Sequence, residues 1–404
     1  MVATAHRSLV EPTADRRVEG ALDRLLDRFP DPAGADRLEF LRMQYSLGLA
    51  WVHFDPGFGG LGVPAAHQSA VTERLVPRGA PTPGSGDFVG IHQAAASIHG
   101  FGTDDQRARF LPGIFDGTER WCQLFSEPGA GSDLAGLSTQ AVADGDEWVV
   151  TGQKVWSSGA QAARWAILLA RSDPAAPKHR GLTFFVCDMT LPGVEVRPLR
   201  QADGAAHFNE VFLDAVRLPD ELRLGDVAQG WAVALMGLHS EREGIGDALR
   251  SHWGAVEAAW RAYDAPTDNV ARVMRARVVD CWIDAKLVEL ARERMLAAQG
   301  TGGSTPIGSL LKIAQSAANQ RAASLLVALM GPAGQVGFDY DASLAAGLDG
   351  PGGAPQMLVV RSRANSIEGG TDEIQRNIIG EQVLGLPGDV RVDKHVPWSD
   401  VPRS

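Results

Sequence analysis

The chain has 404 residues, of which 45% are hydrophobic, and its formal net charge is −11. This length allows two or three domains with substantial cores, and the acidic balance argues against sequence-independent nucleic-acid binding, which needs a basic face. Cys122, Cys187 and Cys281 are too few and too scattered for a disulfide framework. The N-terminus lacks the apolar core of a signal peptide, and no apolar run approaches the roughly 18 residues of a membrane span. These features predict a cytoplasmic protein without a membrane span.

The chain opens with helical periodicity. Leucines and aromatic residues recur at helical spacing over 18–30 and 36–48, which predicts two amphipathic helices. The following stretch 56–62 contains a literal G-x-G-x-x-G motif, but prolines bracket it and the surrounding pattern is not βαβ. We therefore predict a loop there rather than a dinucleotide site, within an N-terminal helical domain covering 1–118.

The period changes to that of strands between 119 and 226. Short segments rich in β-branched and aromatic residues alternate with Gly, Pro and Asp, which is typical of antiparallel strands. We predict a middle antiparallel β-barrel or sandwich domain, with strands at 147–158, 165–171, 182–189, 193–199 and 208–216.

Helical periodicity returns from about residue 229. The segment 309–330 has apolar residues at three- and four-residue spacing, which predicts one apolar face of a long helix. With 230–262, 268–299 and 355–384 as the other helices, we predict a four-helix bundle over 227–387. The tail 388–404 is polar enough to be loosely held. The predicted fold class is α+β.

Three blocks carry the chemical signal: SEPGAGSD (126–133), GQKVWSS (152–158) and SIEGGTDEIQRNIIGEQVLGLP (366–387). Alone, each has an ordinary structural interpretation, since Gly-rich turns are common and Trp156 could be a core tryptophan on a strand. Together and in this order, the blocks resemble the acyl-CoA dehydrogenase family of flavoproteins. The resemblance runs from about residue 20 to 387.

The resemblance implies FAD as the hydride acceptor, a role that no side chain can fill. Trp156 matches a tryptophan packed near the flavin ring, and Ser158 stands where the family usually has a threonine whose hydroxyl touches the N5 region. Ser132 and Arg242 match positions beside the substrate. The cofactor contacts implied in this way come from Gln123, Leu124, Phe125, Ser126, Gly131, Ser132, Trp156, Ser157, Ser158, Gly370, Thr371 and Glu373.

The family places its catalytic glutamate at one of two positions. Counting back from Thr371 puts Gly369 at the first position, and Glu368 stands one residue early. The second position lies on a bundle helix just before an arginine, and Glu241, followed by Arg242, fits it without adjustment. We predict Glu241 as the base, with Glu368 as second choice and a subunit without a working base as the third alternative.

Two departures from the family pattern concern contacts with FAD across a subunit interface. The family's Arg-x-x-Phe-Gly block is missing from 261–279, and Pro332 replaces the second glycine of an aromatic-Gly-Gly pattern. Either the neighbouring subunit differs from this one and supplies complementary parts, or FAD is held more weakly.

The sequence therefore predicts an acyl-CoA dehydrogenase that converts an acyl-CoA or acyl-carrier-protein thioester to the trans-2-enoyl thioester. An electron-transferring flavoprotein is the expected acceptor, and a homotetramer or a heterotetramer with a related subunit is the expected assembly. The alternatives are a non-catalytic or half-site subunit of a heteromer, and an oxidase or monooxygenase on the same fold. No His/Cys/carboxylate cluster has metal-ligand spacing, so no metal site is predicted.

Overall fold

The computed structural model describes residues 15–84, 87–248, 252–264, 267–299, 307–337 and 354–401, without the side chains of 241–248 and a few other helical residues. Its elements run in the order helices, strands, helices, which confirms the predicted fold class. Within the described helices, none is both long and apolar enough to cross a membrane.

The N-terminal helices follow the predicted amphipathic pattern. Thr103 and Gln106 form a capping box that begins the last of them. In the 56–62 loop, a Cβ on Gly60 would lie 2.0 Å from the carbonyl oxygen of Phe54, so that glycine serves local packing. The helices are α1 Arg16–Arg28, α2 Arg37–Ser46, α3 Gln68–Leu75, α4 Ala95–Phe101 and α5 Asp104–Asp116, with a π-helical turn at Val89–Ala94 leading into α4.

The middle domain is one sheet with the strand order β6–β7–β3–β2–β4–β5–β8, and β1 pairs with β4. Most pairs are antiparallel as predicted, whereas β1, which was not predicted as a strand, runs parallel to β4. The strands are β1 Trp121–Leu124, β2 Gln140–Asp144, β3 Glu147–Lys154, β4 Trp165–Arg171, β5 Leu182–Asp188, β6 Val194–Leu199, β7 Phe208–Pro219 and β8 Arg223–Leu224.

Strand β4 is buried on both faces and joins two cores. Trp165, Ile167 and Leu169 belong to the large core shared with the N-terminal helices. The alternate residues Ala166 and Leu168 belong to the separate core of the β-domain. Because strand side chains alternate between faces, this one apolar strand fixes the helices against the sheet.

The C-terminal helices differ from prediction in two places. The segment 230–262 contains two helices rather than one. The segment 355–384 is also divided: its first helix ends at Arg361 and a 3₁₀ turn follows at Ser362–Ser366. Gly369 and Gly370 then have φ angles of 63° and 87°, which a helix cannot continue through. The helices are α6 Gly230–Ala248, α7 Trp253–Arg261, α8 Asp268–Gln299, α9 Ile307–Leu329, α10 Pro355–Arg361 and α11 Asp372–Ile378, followed by a π-helical turn at Ile379–Val383.

The prediction of a loosely held tail is wrong at the far end of the described tail, although 388–392 are exposed as expected. Trp398 is only 5% exposed, and Pro397 forms a β-bridge with Pro177 of the β-domain. A buried tryptophan supplies enough apolar area to hold an otherwise polar segment in place.

Candidate functional site

The Gly-rich loop 126–133 connects β1 to the start of β2 and begins with a tight turn. The backbone N–H groups of Glu127 and Ala130 each donate to the other's carbonyl oxygen at 3.0 Å. The carbonyl oxygen of Ser126 accepts a hydrogen bond of 2.9 Å from the backbone of Val155, just after β3. The first two sequence motifs therefore lie side by side.

A buried ion pair fixes the two motifs together. Lys154 is fully buried, and its Nζ donates to Oε1 of Glu127 at 2.9 Å and to the carbonyl oxygens of Phe125 and Leu169 at 3.0 and 2.9 Å. Glu127 also accepts from the backbone N–H groups of Ser138 (2.6 Å) and Thr139 (2.8 Å). Every ammonium proton thus has an acceptor, which is what a buried charge requires.

The protonation of this pair follows from its surroundings. Burial lowers the pKa of Lys154 to about 8, and the Glu127 carboxylate limits that fall. Burial opposes ionisation of Glu127, but the Lys154 cation and the hydrogen bonds outweigh it and leave the pKa of Glu127 below its ordinary value. The sequence reasoning missed both residues. The available signal was a glutamate inside the Gly-rich loop and a lysine beside Trp156.

Trp156 lies at the surface in a strained conformation. Its side chain is 60% exposed and its φ is 62°, a left-handed value that is costly for a residue with a Cβ. The Phe208 ring contacts it edge-on, with 5.9 Å between ring centroids. An exposed large aromatic side chain held in strained backbone is typical of a functional position.

Unpaired buried polar atoms lie next to Trp156. Ser157 is fully buried, and its Oγ has no hydrogen-bond partner within the described part of the chain. Its backbone exchanges two hydrogen bonds with Asn209 on β7, and the Asn209 Oδ1 likewise lacks a partner among the described residues. Since buried polar atoms are nearly always paired, these two oxygens fit a polar ligand at this place.

The other predicted cofactor residues of the first two motifs differ in accessibility. Leu124 and Phe125 are in the cores, so contacts from them would involve the backbone only. Gly131 faces open space, because a Cβ there would meet nothing within 4 Å in the described chain. Side chains that are at least partly exposed belong to Gln123, Ser126, Ser132 and Ser158.

The C-terminal motif approaches the same region. Burial and then the nearby Arg361 cation lower the pKa of His207, which lies two residues before Asn209. Arg361 in turn holds both carboxylate oxygens of Glu368, at 3.0 and 2.9 Å, and Asn365 donates to Glu368 at 2.8 Å. The structure thus brings the third motif next to the strand that carries Asn209.

The remaining residues of this motif have structural contacts of their own. The Thr371 hydroxyl begins α11 by accepting from the backbone of Ile374 at 3.2 Å. Glu373 is exposed and pairs weakly with Arg376 at 3.4 Å. Gly370 has the left-handed backbone noted above.

The predicted base lies on α6. The side chains of Glu241 and Arg242 are outside the described part of the structure, although the helix backbone runs through both positions. One turn earlier, Gly237 packs against the N-terminal domain, and a Cβ there would lie 3.0 Å from the Ser97 Oγ. Glycine at this position lets α6 approach the N-terminal helices closely.

Three family models match consecutive parts of the chain. The N-terminal, middle and C-terminal acyl-CoA dehydrogenase domains match 8–118, 122–216 and 228–384, respectively. The chain belongs to the acyl-CoA dehydrogenase family. As a member, it is an acyl-CoA dehydrogenase-type oxidoreductase, which confirms the resemblance carried by the three motifs.

Curated acyl-CoA dehydrogenases resemble it over most of its length. FadE34 of Mycobacterium tuberculosis is 38% identical over 84% of this chain, and the match spans only 45% of FadE34. IpdE1 of the same organism is 35% identical, covering 86% of this chain and 87% of IpdE1. A solved variant of the Tcur3481-Tcur3483 steroid ACAD is 25% identical with a TM-score of 0.69, covering 92% of this chain and 98% of that one.

Members of the acyl-CoA dehydrogenase family bind FAD, and the unpaired oxygens beside Trp156 fit such a polar, planar group. In the described residues, no group of three or more His, Cys, Asp or Glu side chains could hold a metal ion.

Proposed function

We propose that this acyl-CoA dehydrogenase carries out FAD-dependent α,β-desaturation of an acyl thioester to the trans-2-enoyl thioester. The observation that carries the proposal is the group formed by Trp156, Ser157 and Asn209, where an exposed, strained tryptophan adjoins two unpaired buried oxygens. When bound, FAD supplies the acceptor for the β hydride.

The residues of the chain would hold the cofactor in fixed geometry. The Lys154–Glu127 pair anchors the loop whose backbone N–H groups and Ser126 side chain would hold the cofactor. Trp156 would contact the flavin ring, and Ser158 offers its hydroxyl on the same segment. Because the anchoring contacts already exist in the chain, little reorganisation is needed at the moment of reaction.

Glu241 is the proposed base for the α proton. Glu368, the alternative, already accepts three hydrogen bonds from Arg361 and Asn365, and these would have to break before it could accept a substrate proton. Gly369 has no side chain that could act as the base. Ser132 and Arg242 are proposed to contact polar groups of the thioester.

The proposed partners are an acyl-CoA or acyl-carrier-protein thioester, an electron-transferring flavoprotein, and further subunits in a tetramer. The solved steroid ACAD is named for two proteins, Tcur3481 and Tcur3483, and FadE34 is about twice as long as the region that matches this chain. Both observations support a heterotetramer in which a related subunit accompanies this chain. The same steroid relative supports a bulky, polycyclic acyl group as substrate.

A half-site subunit is the second candidate. It is favoured by the missing Arg-x-x-Phe-Gly block in 261–279 and by Pro332, the second residue of a 3₁₀ turn at Gly331–Gln335. In this candidate, a related chain supplies the missing cofactor contacts.

An absorbance spectrum of the purified chain, followed by anaerobic addition of straight, branched and steroid acyl-CoAs, tests the proposal. We expect flavin bands that bleach with a bulky thioester, and bleaching about 10²–10⁴-fold slower in Glu241→Gln, the usual contribution of a general base. Glu368→Gln is the matched control and should bleach like the wild type. The reverse pattern would assign the base to Glu368.

A chain without flavin would favour the half-site subunit, and rapid reoxidation by air would favour an oxidase.

A further inference from the structure

The C-terminal segment 391–401 lies along the edge of the β-domain, over the junction of two loops. One is the end of the Gly-rich loop around Asp133–Gly136, and the other is the β4–β5 connection, 172–181. The backbone N–H groups of Trp398 and Ser399 donate to carbonyl oxygens of the second loop, at Ala176 (2.9 Å) and Pro174 (3.0 Å). We call this segment the C-terminal strap.

Trp398 joins both loops through Arg171. The Arg171 guanidinium lies over the Trp398 ring, 4.4 Å from its centroid, and Arg171 is only 2% exposed. It donates to the carbonyl oxygens of Ala135 (2.5 Å) in the first loop and Lys178 (2.9 Å) in the second. The Trp398 Nε1 donates to the carbonyl oxygen of Gly136 at 3.2 Å. Removing the indole would uncover a buried cation that organises both loops.

A second contact lies at the other end of the strap. The Lys178 Nζ is 2.5 Å from a carboxylate oxygen of Asp393 and 2.9 Å from both carboxylate oxygens of Asp133. The Lys178 side chain is only 13% exposed and that of Asp393 25%, so this half of the group is shielded from solvent, whereas the Asp133 side chain is 63% exposed. Asp133 directly follows Ser132, the residue proposed to contact the thioester.

We propose that the strap holds the Asp133–Lys178 edge of the thioester site, with Trp398 and Asp393 as positioning residues for Ser132. The inference rests on the proposed function for the identity of the ligand. The strap's hydrogen bonds and ion pairs to the β-domain are made to the two loops, and its ring contact is made to Arg171. Among the contacts of the described residues, the strap makes none to Trp156. Loss of the strap should therefore weaken thioester binding and leave the rate of the chemical step unchanged.

Hydrogen exchange without any ligand tests the strap itself. In a chain ending at Gly388 and in Trp398→Ala, we expect amide exchange in 129–137 and 172–181 to accelerate on the order of tenfold, because local opening becomes easier. Trp398→Phe keeps a ring over Arg171 and should lie between these variants and the wild type. Unchanged exchange in all three would overturn the strap, whatever the enzyme's activity.

Steady-state kinetics then tests the positioning role. Asp393→Asn should raise KM for the acyl thioester about five- to tenfold and leave kcat within twofold, while Asp400→Asn, on the exposed end of the strap, should change neither. Faster exchange with an unchanged KM would overturn the positioning role. A wild type inactive on every thioester would overturn the proposed function instead, and the exchange result would still decide whether the strap orders the two loops.

Discussion

The first 230 residues and the C-terminal helices bury their apolar surface differently. In the first region, one core runs from the N-terminal helices to the sheet and includes Phe115, Trp165 and Phe184. In the second region, the buried clusters between α8 and α9 are smaller. Helix α8 also leaves a row of apolar side chains 42–59% exposed, namely Val273, Val279, Trp282, Ile283, Leu287 and Leu290.

This difference suggests two kinds of stabilisation. The apolar surface of the first region is buried within the single chain, whereas the exposed apolar side chains of α8 would be buried only against another chain. A contiguous exposed apolar patch usually marks an interaction surface. Buried charges are paired in both regions, as Lys154 with Glu127 and Lys312 with Asp372 show, so the contrast lies in the exposed apolar surface alone. We therefore expect substitutions in the first region to act on the stability of the chain, and substitutions on α8 to act on association.

The largest stability effect is expected for Lys154→Met. The change leaves the Glu127 carboxylate buried without its cation, and breaking a buried pair in this way costs about 3–5 kcal/mol. Chemical denaturation would measure the loss. Lys286→Met is the matched control on α8, because the Lys286–Glu289 pair is roughly half exposed and such pairs contribute about 0–1 kcal/mol. Equal losses in the two variants would contradict the difference in stability expected between a buried and an exposed ion pair.

A smaller, pH-dependent effect is expected at Asp87, which ties the N-terminal domain to the sheet. Its carboxylate accepts from the backbone of Gly90 at 2.8 Å and of Trp121 at 2.9 Å, and burial raises its pKa from 3.8 to about 6. The folded chain therefore holds this proton more tightly than the unfolded chain does. The stabilisation from Asp87 is full below about pH 4 and is lost as the pH rises through about 6.

The magnitude follows from the size of the shift, since about two pKa units correspond to about 3 kcal/mol. Asp87→Asn cannot titrate, so the free energy of unfolding of the wild type minus that of the variant should fall by about 2 kcal/mol between pH 4 and pH 7, the greater part of the full shift. Denaturation curves at several pH values would measure this difference. A difference that is constant with pH would show that the Asp87 carboxyl has an ordinary pKa.

Much of the fold could be predicted from local pattern alone. Strands β4 and β5 are mostly apolar runs, and α1 buries Val18, Ala21, Leu22 and Leu25 at regular amphipathic spacing, so each carries its own signal. Strand β2, with the sequence QAVAD, was missed because only Ala141 is buried in it. The docked tail was missed because the groups that hold Trp398, Arg171 and Gly136, are more than 200 residues away in sequence.

The sequence predicted those parts of the candidate site whose residues lie next to one another in the chain. The segments around Ser126 and Trp156 stand out by residue type and order. The ion pair between Glu127 and Lys154 does not, because a lysine on a strand is ordinarily exposed and only the fold shows that this one lies between two buried carbonyl groups. Long-range contacts of this kind leave no periodic signal in the sequence.

The smallest effect on the single chain is expected for the double substitution Leu287→Gln and Leu290→Gln. Both side chains are already more than half exposed, so the free energy of unfolding of the dissociated chain should change by less than about 1 kcal/mol. If α8 forms a subunit interface, each leucine is buried on association, at about 1.5–3 kcal/mol per fully buried side chain. Sedimentation velocity should then show dissociation at a protein concentration at least tenfold higher than for the wild type.

Val142→Gln on β2 is the control from the first region, since Val142 is 59% exposed there and is the only large apolar side chain exposed on its strand. It should alter neither stability nor association. If the α8 variant also left association unchanged, the exposed row would not be an interface, and the apolar surface of the bundle would need another explanation. If association weakened only for α8, the contrast between a self-sufficient first region and a partner-dependent bundle would be established by measurement.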